Sequence, residues 1–286
     1  MRVHVVQVAY GDDEPMSDRV ARVTELVRAQ RGADLVVLPE LWAAGGFSYR
    51  EWPGRGEPVD GPTVQAVATA AAEIGAVVHA GSIVETLPPD APAQLRGPGR
   101  RGVWNTSVLI GPDGHTVATY RKIHRFGFGE GEPALMEAGE DVVTVPVQLP
   151  RPSGATGPFA SAPAAEPTVL GLATCYDLRF PEQFRLLLDA GAELVVIPAA
   201  WPAPRVEHWR LLGRARAIEN QVVVVQCNTA GTHAGTVMGG HSQVVSPTGE
   251  VLAEAGEGEE VLAVDVDLDE VTAWRQRFPV LADRRL

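Results

Sequence analysis

Three side chains are spaced so that they could form an acyl-transfer centre. Cys175 ends a β-branched run in Ala173-Thr-Cys-Tyr-Asp-Leu-Arg-Phe-Pro-Glu182, and Glu40 ends another in Val37-Leu-Pro-Glu-Leu-Trp42. Lys122 follows a third in Tyr120-Arg-Lys-Ile-His124. A cysteine attacks as its thiolate and needs a base or a cation beside it. A carboxylate can take the thiol proton and later activate water. An ammonium can stabilise the thiolate and the oxyanion of a tetrahedral intermediate. This chemistry requires neither metal nor cofactor, and none is expected. The seven histidines lack a metal spacing such as H-E-x-x-H. Gly97-Pro-Gly-Arg-Arg-Gly102 formally matches G-x-G-x-x-G, but it follows no strand and opens no helix, so it is not read as a nucleotide loop. Neither a phosphate-binding G-x-x-x-x-G-K-[ST] loop nor a G-x-S-x-G serine elbow occurs. Cys227, in Val225-Gln-Cys-Asn228, has no partner motif and reads as a structural thiol.

The elements that must carry these groups alternate between strand and helix. Strand-like runs are Val3–Ala9, Leu35–Leu38, Ala76–Val84, Thr106–Ile110, Thr116–Tyr120, Val169–Thr174, Leu194–Ile197, Val222–Gln226, Gln243–Val245 and Val261–Val266. Helical periodicity marks Asp18–Gln30, Thr63–Ile74, Pro181–Ala190 and Val206–Glu219, with a shorter stretch at Asp269–Gln276. Alternation of this kind predicts an α/β fold, and runs apolar on both faces predict strands covered on both sides. Turn signals at Gly111-Pro-Asp-Gly114 and Ser246-Pro-Thr-Gly249 predict two hairpins. Pro88–Arg101 and Pro150–Pro167 read as inserted surface loops.

The chain also repeats itself. Gly32-Ala-Asp-Leu-Val-Val-Leu-Pro-Glu-Leu-Trp42 matches Gly191-Ala-Glu-Leu-Val-Val-Ile-Pro-Ala-Ala-Trp201, with identity at seven of the eleven positions. Val3–Tyr10 resembles Val169–Tyr176, and the two hairpins resemble each other. Two similar halves related by a pseudo-two-fold are therefore expected within a single domain spanning 1–286. The halves differ where chemistry is concerned. The first has Ala9 where the second has Cys175, and the second has Ala199 where the first has Glu40. Each half keeps one reactive group at the carboxyl end of a strand, where open α/β sheets build their sites.

Composition narrows the partners. Twenty-four Lys and Arg against 36 Asp and Glu leave a net charge of −12 with no long basic block. Such a chain is poorly suited to hold nucleic acid or an anionic membrane. Two cysteines in 286 residues make no disulfide framework. With no signal-peptide pattern and no apolar run long enough to span a bilayer, a cytoplasmic protein is expected.

The three blocks around Glu40, Lys122 and Cys175, taken in order, resemble the signature blocks of the carbon–nitrogen hydrolase (nitrilase) superfamily. The resemblance runs from Met1 to about Pro279. It implies a four-layer α-β-β-α sandwich of two pseudo-symmetric halves, paired through helices into a homodimer or higher homo-oligomer. It also implies that Glu40, Lys122 and Cys175 form the family's catalytic triad. A second glutamate is implied after the lysine block; counting back from Ala138-Gly139 assigns it to Glu132, with Glu130 as the alternative. Cys175–Glu182 followed by Pro198-Ala-Ala-Trp201 is similar to the ω-amidase and deaminated-glutathione amidase branch. That similarity implies a small amide substrate bearing a carboxylate, met by Arg179, with Trp201 as a pocket wall. Arg179 could equally pair with Asp177 or Glu182 to brace the loop. The expected reaction is attack of Cys175 on the amide carbon, loss of ammonia and hydrolysis of the thioester with help from Glu40. Lys122 and the Tyr176 N–H are the expected oxyanion donors. Nitrile hydrolysis, carbamoyl hydrolysis, acyl transfer to an amine, or an inactive paralogue acting as a binding partner are the alternatives. Arg125-Phe-Gly-Phe-Gly-Glu-Gly-Glu132 is Gly-rich where relatives carry larger residues, so pocket shape is expected to differ there.

Overall fold

Strands apolar on both faces need cover on both sides, and alternation of side chains decides what each face meets. The computed structural model describes residues 1–88, 90–99, 101–150 and 166–285. Leu35 and Val37 join a cluster with Leu170, Leu172, Leu194 and Val196, which lies between two sheets. Val36 and Leu38 point the other way, onto Val23 and Val27 of helix Met16–Arg28 and Val64 and Val67 of helix Pro62–Ile74. The repeat does the same. Leu194 and Val196 face inward, while Val195 and Ile197 meet Phe184 of helix Pro181–Asp189 and Trp209 of helix Val206–Asn220. Three clusters thus make four layers, helix–sheet–sheet–helix. Full burial of each such Val, Leu or Phe stabilises by roughly 1.5–3 kcal/mol.

Each sheet has six strands. In the first the order is Glu260–Asp265, Arg2–Gln7, Leu35–Val37, Val77–Thr86, Val103–Ile110 and Thr116–Arg121. In the second it is Thr144–Val147, Thr168–Leu172, Leu194–Pro198, Val223–Cys227, Gln243–Val245 and Val251–Glu254. Both run antiparallel, parallel, parallel, antiparallel, antiparallel across their five pairings. The repeated sequence has become a repeated topology. The halves also exchange edges: Thr144–Val147 follows the first half but completes the second sheet, and Glu260–Asp265 follows the second half but completes the first. A small sheet adds a further link, with Ala9–Tyr10 beside Ala230–His233 and Thr236–Val237 on the far edge.

Most elements fall within a few residues of the expected spans. Val3–Ala9 is broken: the first-sheet strand stops at Gln7, and Ala9–Tyr10 pairs with Ala230–Gly231 instead. Thr144–Val147 was not foreseen, because Pro146 argues against a strand; Pro is tolerated there since the strand lies at a sheet edge. Val103–Ile110 begins three residues before the expected Thr106, which brings Asn105 into the sheet. Both hairpins form where expected. Pro88–Arg101 contains only a short 3-10 turn, Ala93–Leu95, among its described residues. Of the Pro150–Pro167 insertion, residues 151–165 lie outside the described residues.

A backbone irregularity in the first sheet positions Glu40. Strand Val77–Thr86 shifts register between His79 and Ser82, and Gly81 there has φ +70°. A Cβ on Gly81 would sit 1.9 Å from the Pro39 carbonyl oxygen, immediately before Glu40. The same bulge holds the Glu40 loop: the Ser82 Oγ accepts from Leu41 N–H at 3.0 Å, and the Ala80 carbonyl accepts from Trp42 Nε1 at 2.9 Å. Gly81→Ala should therefore cost more than about 2 kcal/mol in urea unfolding. Gly258→Ala, whose new methyl would meet nothing within 4 Å, should stay within about 0.5 kcal/mol of the parent. Equal midpoints for the two variants would refute the close-approach role of Gly81.

Candidate active site

Because the halves share one topology, their matched loops meet. Glu40 leaves strand Leu35–Val37, and its repeat counterpart Ala199 leaves Leu194–Pro198. The Glu40 N–H donates to the Ala199 carbonyl at 3.4 Å, and the Ala200 N–H donates to Glu40 Oε2 at 2.9 Å. Cys175, at the end of the neighbouring strand Thr168–Leu172, is carried to the same junction.

Lys122 lies just past strand Thr116–Arg121 and is only 2% exposed. Its Nζ donates to Glu40 Oε1 at 2.7 Å and to Glu132 Oε1 at 2.9 Å. Asn105 Nδ2 bridges the same two oxygens, at 2.8 and 2.6 Å. Burial works against the Lys122 charge, but Glu132, Glu40 and Cys175 outweigh it and hold its pKa well above the usual value. Burial raises the Glu132 carboxyl; Lys122 opposes this and Glu40 adds to it. Of the two glutamates considered from the sequence, Glu132 is the one against Lys122, while Glu130 is exposed. The Gly-rich run makes this possible by doubling back. Glu132 accepts from the Phe126 N–H and returns its own N–H to the Phe126 carbonyl at 3.1 Å. Gly127, at φ +147°, has no room for a Cβ, which would sit 1.9 Å from the Glu130 carbonyl oxygen.

Cys175 opens the 3-10 turn Cys175–Arg179 with φ +49°, a left-handed conformation costly for a non-glycine residue. Neighbouring groups over-determine it. Thr174 and Asp177 form a reciprocal capping box, and Thr174 Oγ1 meets Ser107 Oγ at 2.8 Å. Buried Asp177 also accepts from Tyr120 Oη at 2.7 Å, from the His124 N–H at 3.0 Å and from His124 Nδ1 at 2.8 Å. The cysteine turn is thereby pinned to the segment that carries Lys122. His124 serves in that brace, stacked on Phe180 at 3.7 Å. Burial, and then the charge of Glu40, push the Cys175 thiol well above its usual pKa. Lys122 pulls the other way without compensating, because two carboxylates already share its charge. The direction of this shift favours the protonated thiol in the resting site. Cys227 is elsewhere, fully buried in Val223–Cys227 with its S–H toward the Val6 and Val37 carbonyls, each at 3.3 Å.

A narrow cavity opens over Cys175 between Tyr176, Trp201, Phe126 and Arg179. The Tyr176 N–H lies in the first turn of its helix, where N–H groups have no helical acceptor. Trp201 is fixed through its N–H to Asn228 Oδ1 at 2.6 Å and its Nε1 to the Arg205 carbonyl at 2.7 Å. The Arg179 guanidinium lies over the Trp201 ring at 4.7 Å and against His208 Nδ1 at 3.4 Å. Among the described residues it pairs with no carboxylate; Asp177 and Glu182 do not brace it. A wider hollow of about 1080 Å³ shares Phe47 and Phe126 with the cavity. No cluster of three or more metal-ligating side chains occurs among the described residues.

Asn105, the Ala200 N–H, Phe126 and Arg205 were not foreseen. Asn105 had a signal: an amide inside an otherwise apolar strand is costly without partners. Phe126, Ala200 and Arg205 lie inside or just beside segments singled out from the sequence, the run from Arg125 and the Pro198–Trp201 block, but nothing local shows that they face the site.

A model of the carbon–nitrogen hydrolase family matches residues 2–276. The chain is 44% identical over 283 residues to a 2-oxoglutaramate amidase of Paenarthrobacter nicotinovorans, covering 99% of this chain and 89% of that protein. It is 34% identical over 277 residues to omega-amidase NIT2 of Homo sapiens, covering 94% and 90% respectively. Among solved structures it resembles XC1258 from Xanthomonas campestris, described as a CN-hydrolase superfamily protein, with a TM-score of 0.82 at 28% identity. That likeness covers 100% of this chain and 97% of the other. With a family match over nearly its whole length and a relative at 44% identity, this chain belongs to the carbon–nitrogen hydrolase family.

Proposed function

We propose that the chain is a thiol amidase that releases ammonia from small amides carrying a carboxylate, working as one catalytic domain over 1–286. The observation that carries this reading is the shared environment of Cys175, Glu40 and Lys122, with Cys175 lining a cavity whose wall bears Arg179. The names of the relatives, 2-oxoglutaramate amidase and omega-amidase, support the substrate class.

Glu40 takes the Cys175 proton as sulfur attacks the amide carbon. The oxyanion is held by the Tyr176 N–H and by the third hydrogen of the Lys122 ammonium, the other two being engaged by Glu40 and Glu132. Collapse expels ammonia, with Glu40 returning the proton to nitrogen, and leaves a thioester. Glu40 then deprotonates water, which attacks the thioester; the acid departs and the thiol regains its proton. Glu132 and Asn105 hold Lys122 and Glu40 in register throughout. Arg179 receives the substrate carboxylate through a two-pronged hydrogen bond that lysine cannot reproduce, and Trp201 walls the chain between.

Assembly and location have support of their own. Exposed Leu186, Leu211 and Ile218 on helices Pro181–Asp189 and Val206–Asn220 support a homodimer paired through those helices. Two free thiols support a reducing, cytoplasmic location, and no helix among the described residues is long and apolar enough to cross a membrane.

Ammonia release tests the reaction. Succinamate should be hydrolysed without added amine and in preference to butyramide, and nitriles should not be turned over. Glu40→Gln should lower turnover by roughly 10²–10⁴-fold. Turnover of nitriles, or a requirement for an amine acceptor, would assign another reaction to the fold. Thiol labelling tests the resting state. Iodoacetamide should modify Cys175 and not Cys227, with a labelling midpoint above the ordinary thiol value that falls in Glu40→Gln. A Cys175 midpoint below the ordinary value would contradict the neutral thiol. Sedimentation tests assembly: Leu211→Glu should convert a dimer to monomer with the helical content retained, and an unchanged sedimentation coefficient would exclude that helix face.

A further inference from the structure

The turn that carries Cys175 has two ends, and the Thr174–Asp177 capping box holds the first. At the far end Leu178 is fully buried, clustered with Phe184, Trp209 and Ala217. In a continuing 3-10 turn its carbonyl would accept from the N–H three residues on. That residue is Pro181, which has no N–H, and the chain is already extended at Phe180, with φ −109° and ψ 95°. A buried carbonyl without a donor is costly, so a donor must come from elsewhere. Arg216 supplies it from helix Val206–Asn220, 38 positions along the chain. Its Nε and Nη2 converge on the Leu178 carbonyl at 3.1 and 2.8 Å. Its Nη1 donates to Glu219 Oε1 at 2.8 Å, and its guanidinium lies 5.2 Å from the centre of the Phe184 ring. Only 5% of Arg216 is exposed, whereas Arg214, two residues earlier on the same helix, is an exposed residue.

Cys175 lies three residues before Leu178, and Arg179 one after it. Five residues in a single 3-10 turn leave neither free to move alone. The Asp177 N–H is tied to the Thr174 carbonyl at 3.0 Å and the Phe180 N–H to the Asp177 carbonyl at 2.9 Å. Arg216 itself is not among the residues that line the cavity over Cys175. We infer that Arg216 is a positioning residue: by holding the Leu178 carbonyl against helix Val206–Asn220, it keeps Cys175 in its left-handed conformation, the Tyr176 N–H directed at the oxyanion and Arg179 on the cavity wall. Asp177 and Arg216 thus clamp the turn from opposite ends, one toward the segment that carries Lys122 and the other toward a helix. This role rests on the amidase reading and adds to it a residue that acts through the backbone of the nucleophile's turn.

The test removes the donors and compares the result with a matched control. Arg216→Met keeps an apolar stem against Phe184. Its kcat should fall roughly 10²-fold for succinamate and for butyramide alike, as expected when reacting groups are misplaced by about an ångström. Its preference for succinamate should narrow as well, because Arg179 loosens with the turn. Arg275 serves backbone carbonyls in the same way but away from the site, donating to Gln221 at 3.2 Å and to Ala192 at 2.9 Å. Arg275→Met should lower the urea midpoint yet keep kcat within about 3-fold of the parent. Arg216→Lys replaces two converging donors by one flexible ammonium and should lose about 10-fold in kcat, which carries the test if Arg216→Met does not fold. Iodoacetamide labelling supplies an arm that needs no amide turnover. Burial is the main cause of the raised Cys175 thiol, so the labelling midpoint should fall toward the ordinary value in the Arg216 variants and not in Arg275→Met. Parental kcat and labelling in either folded Arg216 variant, or equal kcat losses in Arg275→Met, would overturn the role of Arg216. If the parent releases ammonia from neither amide, the amidase reading fails, while the labelling comparison still decides whether Arg216 holds the turn.

Discussion

A buried ammonium held between two buried carboxylates is the interaction on which the rest of this structure depends. Taking three charges out of water costs several kcal/mol per ion, and their mutual attraction offsets this only with good geometry and added hydrogen bonds. Those bonds come from widely separated parts of the chain. Asn105 lies in a central strand, the Ala200 N–H in the other half, and the Phe126 N–H in a loop that folds back on itself. One carboxylate too many for one ammonium leaves the neighbouring thiol in a negative, dry environment, which keeps its proton in place. The same arrangement leaves Glu40 beside that thiol.

Duplication explains how such a cluster can be assembled. Two halves with one topology bring equivalent loops together, so groups at matched positions become neighbours across the junction. Each half carries an alanine where the other is reactive. Exchange of edge strands ties the halves covalently and by hydrogen bonds in both directions. Two unusual backbone positions frame the site, the cysteine turn and the bulge at Gly81. Each is held by a dense local set of hydrogen bonds, as Asp177 illustrates with partners from two segments.

The cavity wall lies one layer farther out. Aromatic rings set the width of the cavity, and arginines with no acidic partner among the described residues set its charge. The chain as a whole is acidic, with net charge −12. A local pair of cations stands out against that field.

Much of this was legible in the amino-acid order. Leu-Val-Val alternation, repeated 159 positions apart (194 − 35), determined that strands would be covered on both faces, and hence the layered fold. The Glu40, Lys122 and Cys175 blocks marked the strand ends from which those side chains converge. Only the tertiary structure decided which acids surround Lys122, because Glu130 and Glu132 differ solely in where a glycine-rich loop turns back. It also decided the direction in which the thiol's pKa is pushed, which is a sum of burial and several charges that no local window contains. Asn105 and Arg205 escaped for a related reason. Each lies next to recognisable elements, yet acquires meaning only from groups tens of residues away: Glu40 and Lys122 for the amide, Arg179 and Phe126 for the guanidinium. Local periodicity encodes which face of an element is buried; it does not encode which polar groups meet when two such faces close.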